Sequence, residues 1–202
     1  PETFSDALEL AKRLEIPCLR IPIAPAVEAL SGMLAPACDG VDWTAPLPGT
    51  LMEENLQARI RGVLVMALSN RYGHMVVTTG NKSEMATGYA TLYGDMCGGF
   101  ALIKDVPKTL VFDLARWRNR RGEVIPPATI SRPPSAELKP GQLDSDSLPP
   151  YDVLDPILER YVEQQAGVQD ILAEGFDEAT VRRVIRMVDR SEYKRRQGAP
   201  GV

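Results

Sequence analysis

The 202-residue sequence predicts an α/β fold, a doubly wound parallel sheet followed by a C-terminal helical part. Three observations carry that reading. The stretch His74 to Asp95, HMVVTTGNKSEMATGYATLYGD, reads as a short buried strand (Met75 to Thr78), a polar turn and a helix start. α/β proteins place ligands where strand, glycine and helix follow in that order. Upstream, an amphipathic helix runs into an apolar strand pattern, one αβ step of a layered sheet. Beyond residue 150, apolar stripes recur at helical spacing with no strand pattern between them, so residues 151–202 form the helical part.

Taken in order, Phe4 to Leu14 puts Phe4, Ala7, Leu8, Ala11 and Leu14 on one helix face, with Ser5 and Asp6 as caps. Pro17 ends this helix, and Cys18 to Ile23, CLRIPI, is predicted to be a strand. Ala24 to Ala37 is a second helix with Pro25 in its first turn. Residues 38–50, rich in Asp, Gly and Pro, read as a loop. Asn55 to Tyr72 has the clearest helical repeat, with Leu56, Ile60, Val63, Leu64 and Ala67 expected to face the core. Glu53 and Glu54 stand where the helix dipole favours acids. Asn55, Arg59 and Arg61 gather at the same end, and by residue type alone the two arginines are solvated surface charges.

After the 74–95 stretch, Gly98 to Ile103 is a short extended piece. Pro107 to Asn119 is a helix with proline in its first turn, expected to bury Leu110, Leu114 and Trp117. Lys104 and Lys108 lie before and within that turn, where a cation opposes the helix dipole. A neighbouring phosphate would account for them. Residues 120–150 are rich in Pro, Arg, Ser and Asp and read as a long irregular segment. Such stretches are uncommon in compact domains, and residue type leaves both linker and functional loop open. Tyr151 to Glu163 carries Leu154, Ile157, Leu158 and Tyr161 on one face. Val168 to Glu174 is short and stops at Gly175, and Asp177 caps a last helix striped by Val181, Val184, Ile185 and Val188. The basic run Tyr193 to Arg196 reads as a solvated helix end.

Composition narrows the classes. With 44% hydrophobic and 25% charged residues, the chain has the make-up of one sizeable globular domain. A net charge of -4 removes the bulk electrostatic case for nucleic acid. No apolar run nears the ~20 residues needed to cross a membrane, and no signal-peptide pattern is present. Cys18, Cys38 and Cys97 are widely spaced, which argues against a disulfide framework and for a reducing, cytoplasmic setting. His74 is the only histidine and no CxxC pair occurs, so zinc and Ser-His-Asp chemistry are poorly supported. Residue 1 is Pro, and a helix pattern starts at once, as expected of a fragment or of a chain that begins where order begins.

The turn from Thr78 to Glu84 crowds hydroxyl, amide, ammonium and carboxylate groups beside the free N–H groups of a helix start, a setting that favours anions. Here TTGNKSExATGYxTLYGD resembles the synthetase domain of the glutamine-dependent NAD synthetases, members of the N-type ATP pyrophosphatase group. EENLQARIRG (Glu53 to Gly62), KDVPKT (Lys104 to Thr109), PPSAELKPGQLDSDSLPPYDVLD (Pro133 to Asp155) and EYKRRQ (Glu192 to Gln197) match as well, in the family's order and over most of the chain.

The resemblance implies an adenine nucleotide alpha hydrolase-like sheet and an ATP-dependent amidation. ATP would adenylate deamido-NAD with release of pyrophosphate, and ammonia derived from glutamine would displace AMP to give NAD. It implies ATP contacts for Thr79, Lys108 and Ser135, and deamido-NAD contacts for Asn55, Arg59, Glu84, Tyr89, Leu92 and Lys194. Glu84 would also ligate Mg2+, and residues 120–150 would be a mobile active-site segment. No protein nucleophile is implied, because ammonia is one. A homo-oligomer built on a dimer follows, with the 55–71 helix and exposed Met66 and Leu68 contributing.

The chain also departs from the pattern. The SGGxDS phosphate loop, with its second metal-binding Asp, would precede residue 1, and the glutamine amidotransferase domain is missing too. Leu92 stands where ammonia-only enzymes carry a substrate-contacting lysine. The isolated 202 residues are therefore expected not to turn over, while the parent protein should. The alternatives are another ATP-pyrophosphatase amidotransferase, GMP or asparagine synthetase-like, and a degenerate nucleotide-binding or assembly domain. The AELxPxQ and YGD segments argue against the first.

Overall fold

A computed structural model of the chain describes residues 2–38 and 51–201, so the predicted loop, apart from Cys38, falls outside the described residues. The sheet is where α/β character resides. Strand β1 (Val77–Thr78) runs parallel to β2 (Phe100–Ala101), with Val77 opposite Phe100 and Thr78 opposite Ala101. Helix α4 (Lys82–Thr87) lies between them in sequence, which makes a short βαβ unit. Gly201 bridges to Ala101 from the far side, also parallel.

Three helices precede this unit: α1 (Glu2–Arg13), α2 (Ala24–Cys38) and α3 (Leu51–Tyr72). Behind β2 come α5 (Lys108–Asn119), α6 (Pro127–Ser131), a 3₁₀ turn at Asp144–Asp146 and then α7 (Tyr151–Leu158). The chain ends with α8 (Val168–Leu172), α9 (Glu178–Arg190) and α10 (Glu192–Arg195). Beyond Pro156, which has no N–H to give, α7 loosens into a π turn over Glu159–Glu163.

The core sits in the C-terminal part. Leu154, Ile157 and Leu158 from α7, Ile171 from α8 and Val181, Val184 and Val188 from α9 close on Leu148 and Ala86. These are the stripes expected from helical spacing. Asp177 caps α9 as expected, its carboxylate accepting the Thr180 N–H at 2.8 Å.

Several expectations fail elsewhere. Cys18 to Ile23 is extended but unpaired, and Leu19 is 72% exposed. A strand is defined by its ladder, and no neighbouring strand among the described residues offers one. The central strand is shorter than expected and largely uncovered: of Met75 to Thr78 only Thr78 is buried. Leu8 of α1 and Leu14 just beyond it, Val63 of α3, and Leu110, Leu114 and Trp117 of α5 are exposed, because nothing among the described residues packs on those faces. Helix α3 instead buries Ala58, Ile60 and Gly62, with Ala58 and Gly62 against the turn at Tyr93 and Gly94. A Cβ at Gly62 would meet the Tyr93 carbonyl at 2.7 Å, so only glycine permits this approach. Met66 is exposed as expected, while Leu68 is half-buried. The 120–150 segment is less irregular than its composition suggests, holding α6 and the 3₁₀ turn. None of the described helices is long and apolar enough to cross a membrane.

Candidate functional site

The site is built around the first turn of α4. Asn81 Oδ1 accepts the Glu84 N–H at 3.0 Å, and Glu84 Oε2 accepts the Asn81 N–H at 3.2 Å. This capping box satisfies two otherwise orphaned donors. The other oxygen, Glu84 Oε1, accepts from Lys108 Nζ at 2.9 Å, and both side chains are mostly buried. Lys108 opens α5, whose start lacks a side-chain cap from Pro107. Its first N–H groups find partners in other elements. Ser83 Oγ accepts the Lys108 N–H at 2.9 Å and donates to Asp155 Oδ1 at 2.5 Å. Asp155 Oδ2 accepts both the N–H and the hydroxyl of Thr109, at 2.9 and 2.8 Å. One buried carboxylate on α7 thus pins α4 and α5 together.

The far end of α4 is held by the C-terminus. Gly88 takes the left-handed conformation, φ +71°, that closes the helix. The carbonyls left over are met by side chains: Arg195 donates to Ala86, Ser191 to Thr87, and Lys194 Nζ to Gly88 and Ala90 at 2.7 and 2.6 Å. The basic run is therefore not merely a solvated helix end. Half-burial lowers the pKa of Lys194, and the nearby Asp95 charge opposes that shift.

Of the hollows that border this framework, three carry the residues expected at the site. A cleft of about 430 Å³ brings together Asn55, Arg59, Tyr89, Leu92 and Lys194. Asn55 Oδ1 accepts the Thr91 hydroxyl at 2.9 Å, and Arg59 Nε donates to the Leu92 carbonyl at 3.2 Å. Leu92 thus orients an arginine through its backbone and brings no charge of its own. A second cleft of about 410 Å³ is lined by Lys108 and Ser135. Next to the first cleft, a recess of about 70 Å³ is lined by Thr79 and Glu84 and shares Ala90 and Asp95 with that cleft. The three residues expected on the ATP side therefore divide between recess and second cleft, joined by the Glu84–Lys108 pair. Glu84 faces the recess rather than the first cleft.

Magnesium takes oxygen ligands, most of them from phosphates and water, with one or two carboxylates from the protein. No group of three or more His, Cys, Asp or Glu that could hold a metal occurs among the described residues. Glu84 fits as a single carboxylate ligand, since each oxygen keeps a lone pair beyond the one hydrogen bond it accepts.

Residue type and spacing did not single out two side chains that the structure makes prominent. Asp144, 4% exposed, accepts the Tyr151 hydroxyl at 2.7 Å. The Lys108 ammonium lies 5.5 Å from the centre of the Tyr151 ring. Burial raises the pKa of both Tyr151 and Tyr89, and the Asp144 charge adds to it. Their signal in the sequence was the DSDSLPPYD run alone, which has no periodicity to mark a buried acid.

The chain matches the family model for NAD synthase over residues 1–198. The glutamine-dependent NAD(+) synthetase of Synechocystis is 52% identical over 200 residues, covering 99% of this chain and 35% of that protein. The enzyme of the same name from Acinetobacter baylyi is 54% identical over 201 residues, with 98% and 36% covered. The chain thus spans about a third of the length of the curated relatives it matches. Among solved structures, the glutamine-dependent NAD+ synthetase of Acinetobacter baumannii in complex with ADP superposes with a TM-score of 0.58 at 48% identity, over 97% of this chain and 34% of that one. The NMN synthetase of Francisella tularensis gives a TM-score of 0.76 at 27% identity, over 96% and 70%. The chain belongs to the NAD synthase family.

Proposed function

We propose that this chain is the synthetase part of a glutamine-dependent NAD synthetase, amidating deamido-NAD at the expense of ATP. One observation supports this most: Asn55, Arg59, Tyr89, Leu92 and Lys194, far apart in sequence, line one cleft next to a recess holding Thr79 and Glu84. In this reading the nicotinate carboxylate attacks the α-phosphorus of ATP and pyrophosphate leaves. Ammonia then attacks the activated acyl carbon, gives up a proton and expels AMP. Joining two anions makes charge neutralisation the main task. Lys108 brings a cation to the phosphate side, and Glu84 would supply one carboxylate ligand to a magnesium ion. When bound, magnesium supplies the remaining neutralisation of the phosphates. Arg59 and Lys194 face the dinucleotide, and Asn55 fixes its orientation by hydrogen bonds.

The 120–150 segment is the mobile part of this site in our reading. Its Leu138 carbonyl accepts from Gln57 at 3.0 Å, Gln142 donates to Glu54 at 3.3 Å and Lys139 pairs with Glu54 at 3.5 Å, so its middle leans on α3 through polar contacts, while Asp144 and Leu148 near its end are buried. We also infer that the two strands belong to a doubly wound sheet, that the protein is cytoplasmic, and that it assembles as a homo-oligomer on a dimer through the α3 side.

The complete protein carrying this chain, given deamido-NAD, ATP, Mg2+ and ammonia, should release NAD, AMP and pyrophosphate in equal amounts. XMP and aspartate should give no product. A mononucleotide acceptor belongs in the same assay, because one structural relative is an NMN synthetase. Glu84→Gln should lower turnover by on the order of 100-fold or more. Absence of NAD with all substrates present would favour a degenerate binding domain.

A further inference from the structure

A buried carboxylate lies between the two clefts. Asp144 is almost fully buried, yet only one of its oxygens is engaged: Oδ2 accepts the Tyr151 hydroxyl at 2.7 Å. Asp144 Oδ1 is buried without a partner, and so is the hydroxyl of Tyr89. The Asp144 carboxylate is near enough for both its charge and a hydrogen bond to act on the Tyr89 hydroxyl, but that bond is not formed with good geometry. Leaving a buried acceptor and a buried donor poorly paired is unfavourable, so closer approach of the two would be favoured. Tyr89 lines the first cleft, and Tyr151 lies under the ammonium of Lys108, which pairs with Glu84 and lines the second.

We propose that Asp144 is a positioning residue for the dinucleotide, acting through Tyr89. A ligand seated in the first cleft presses the Tyr89 hydroxyl onto Asp144 Oδ1. Asp144 then holds two tyrosines at once, Tyr89 lining the first cleft and Tyr151 beneath the Lys108 ammonium that lines the second. This rests on the function proposed above, with deamido-NAD as the occupant of the first cleft. It adds a residue and a coupling that the cleft-lining side chains alone do not give.

The test uses the complete protein and titration calorimetry with deamido-NAD and, separately, a nonhydrolysable ATP analogue with Mg2+. Asp144→Asn keeps the shape but weakens the acceptor, and Tyr89→Phe removes only the hydroxyl, so neither empties the core. Each should raise the Kd for deamido-NAD about tenfold, the cost of one lost hydrogen bond to a charged group. The ATP analogue should bind within about twofold of wild type. The double variant should be no weaker than either single one, since both remove the same bond. Additive losses, unchanged deamido-NAD affinity, or equal weakening of both ligands with a lower Tm would each overturn the proposal. A wild-type protein that binds the ATP analogue but no deamido-NAD would instead refute the proposed function, and this inference with it.

Discussion

The helices α7, α8 and α9 and the helices α1, α3 and α5 were read from the same kind of pattern, yet they have opposite fates. In the first group Leu154, Ile157, Ile171, Val181 and Val184 are sealed from solvent. In the second, Leu8, Val63, Leu114 and Trp117 lie on open faces, and Met33 of α2 is 74% exposed. An apolar stripe says which face gains from burial, not what will cover it. The C-terminal helices follow one another closely and cover each other. The other faces find no such neighbour among the described residues, and exposed apolar area on this scale commonly marks an interaction surface. The candidate site lies on the seam, where α4 is bound by α5 and α7 at one end and by α10 at the other.

The contrast can be broken by mutation. Ile171→Ala should cost about 2–5 kcal/mol, the usual range for emptying a sealed core position. Val63→Ala should stay within about 0.5 kcal/mol in the same 202-residue chain. Denaturant titration of both variants checks this, and equal losses would mean that α3 is buried in solution. The seam should rank next. Ser83→Ala takes one partner from the buried Asp155 carboxylate and one acceptor from the Lys108 N–H. A cost of about 1–3 kcal/mol is expected, together with looser binding of the ATP analogue in the complete protein.

The smallest effect concerns a surface cap. Asp177 is fully exposed, and the N–H and then the hydroxyl of Thr180 hold its carboxyl below the ordinary 3.8. Because the folded value lies below the unfolded one, the stabilisation is complete above pH 3.8 and is lost as pH falls through the lowered folded value. Asp177→Ala should therefore lower Tm slightly at neutral pH, and the gap should close in acid. A gap that persists at the acid end would mean the carboxylate is not the cause.

What could be read in advance follows the same division. Asp177 and the α9 stripe rest on contacts three or four residues apart, which spacing reports directly. CLRIPI has the composition of a strand, but a strand exists only through a partner that the segment does not itself contain. Lys194 and Arg195 looked like a solvated end because their acceptors, carbonyls at and just beyond the end of α4, lie more than a hundred residues away. Asp144 was unreadable for the same reason: Tyr89, fifty-five positions earlier, and Tyr151 surround it only after folding. The cleft residues Asn55, Arg59, Tyr89, Leu92 and Lys194 were found through family resemblance, since no periodicity connects them.

The account depends most on which ligand occupies the first cleft. A structure of the complete protein with deamido-NAD, a nonhydrolysable ATP analogue and Mg2+ tests that directly. The expected result has the dinucleotide against Asn55, Arg59 and Tyr89, with triphosphate and metal at Thr79, Glu84 and Lys108. A dinucleotide bound elsewhere, with this cleft empty, would contradict it.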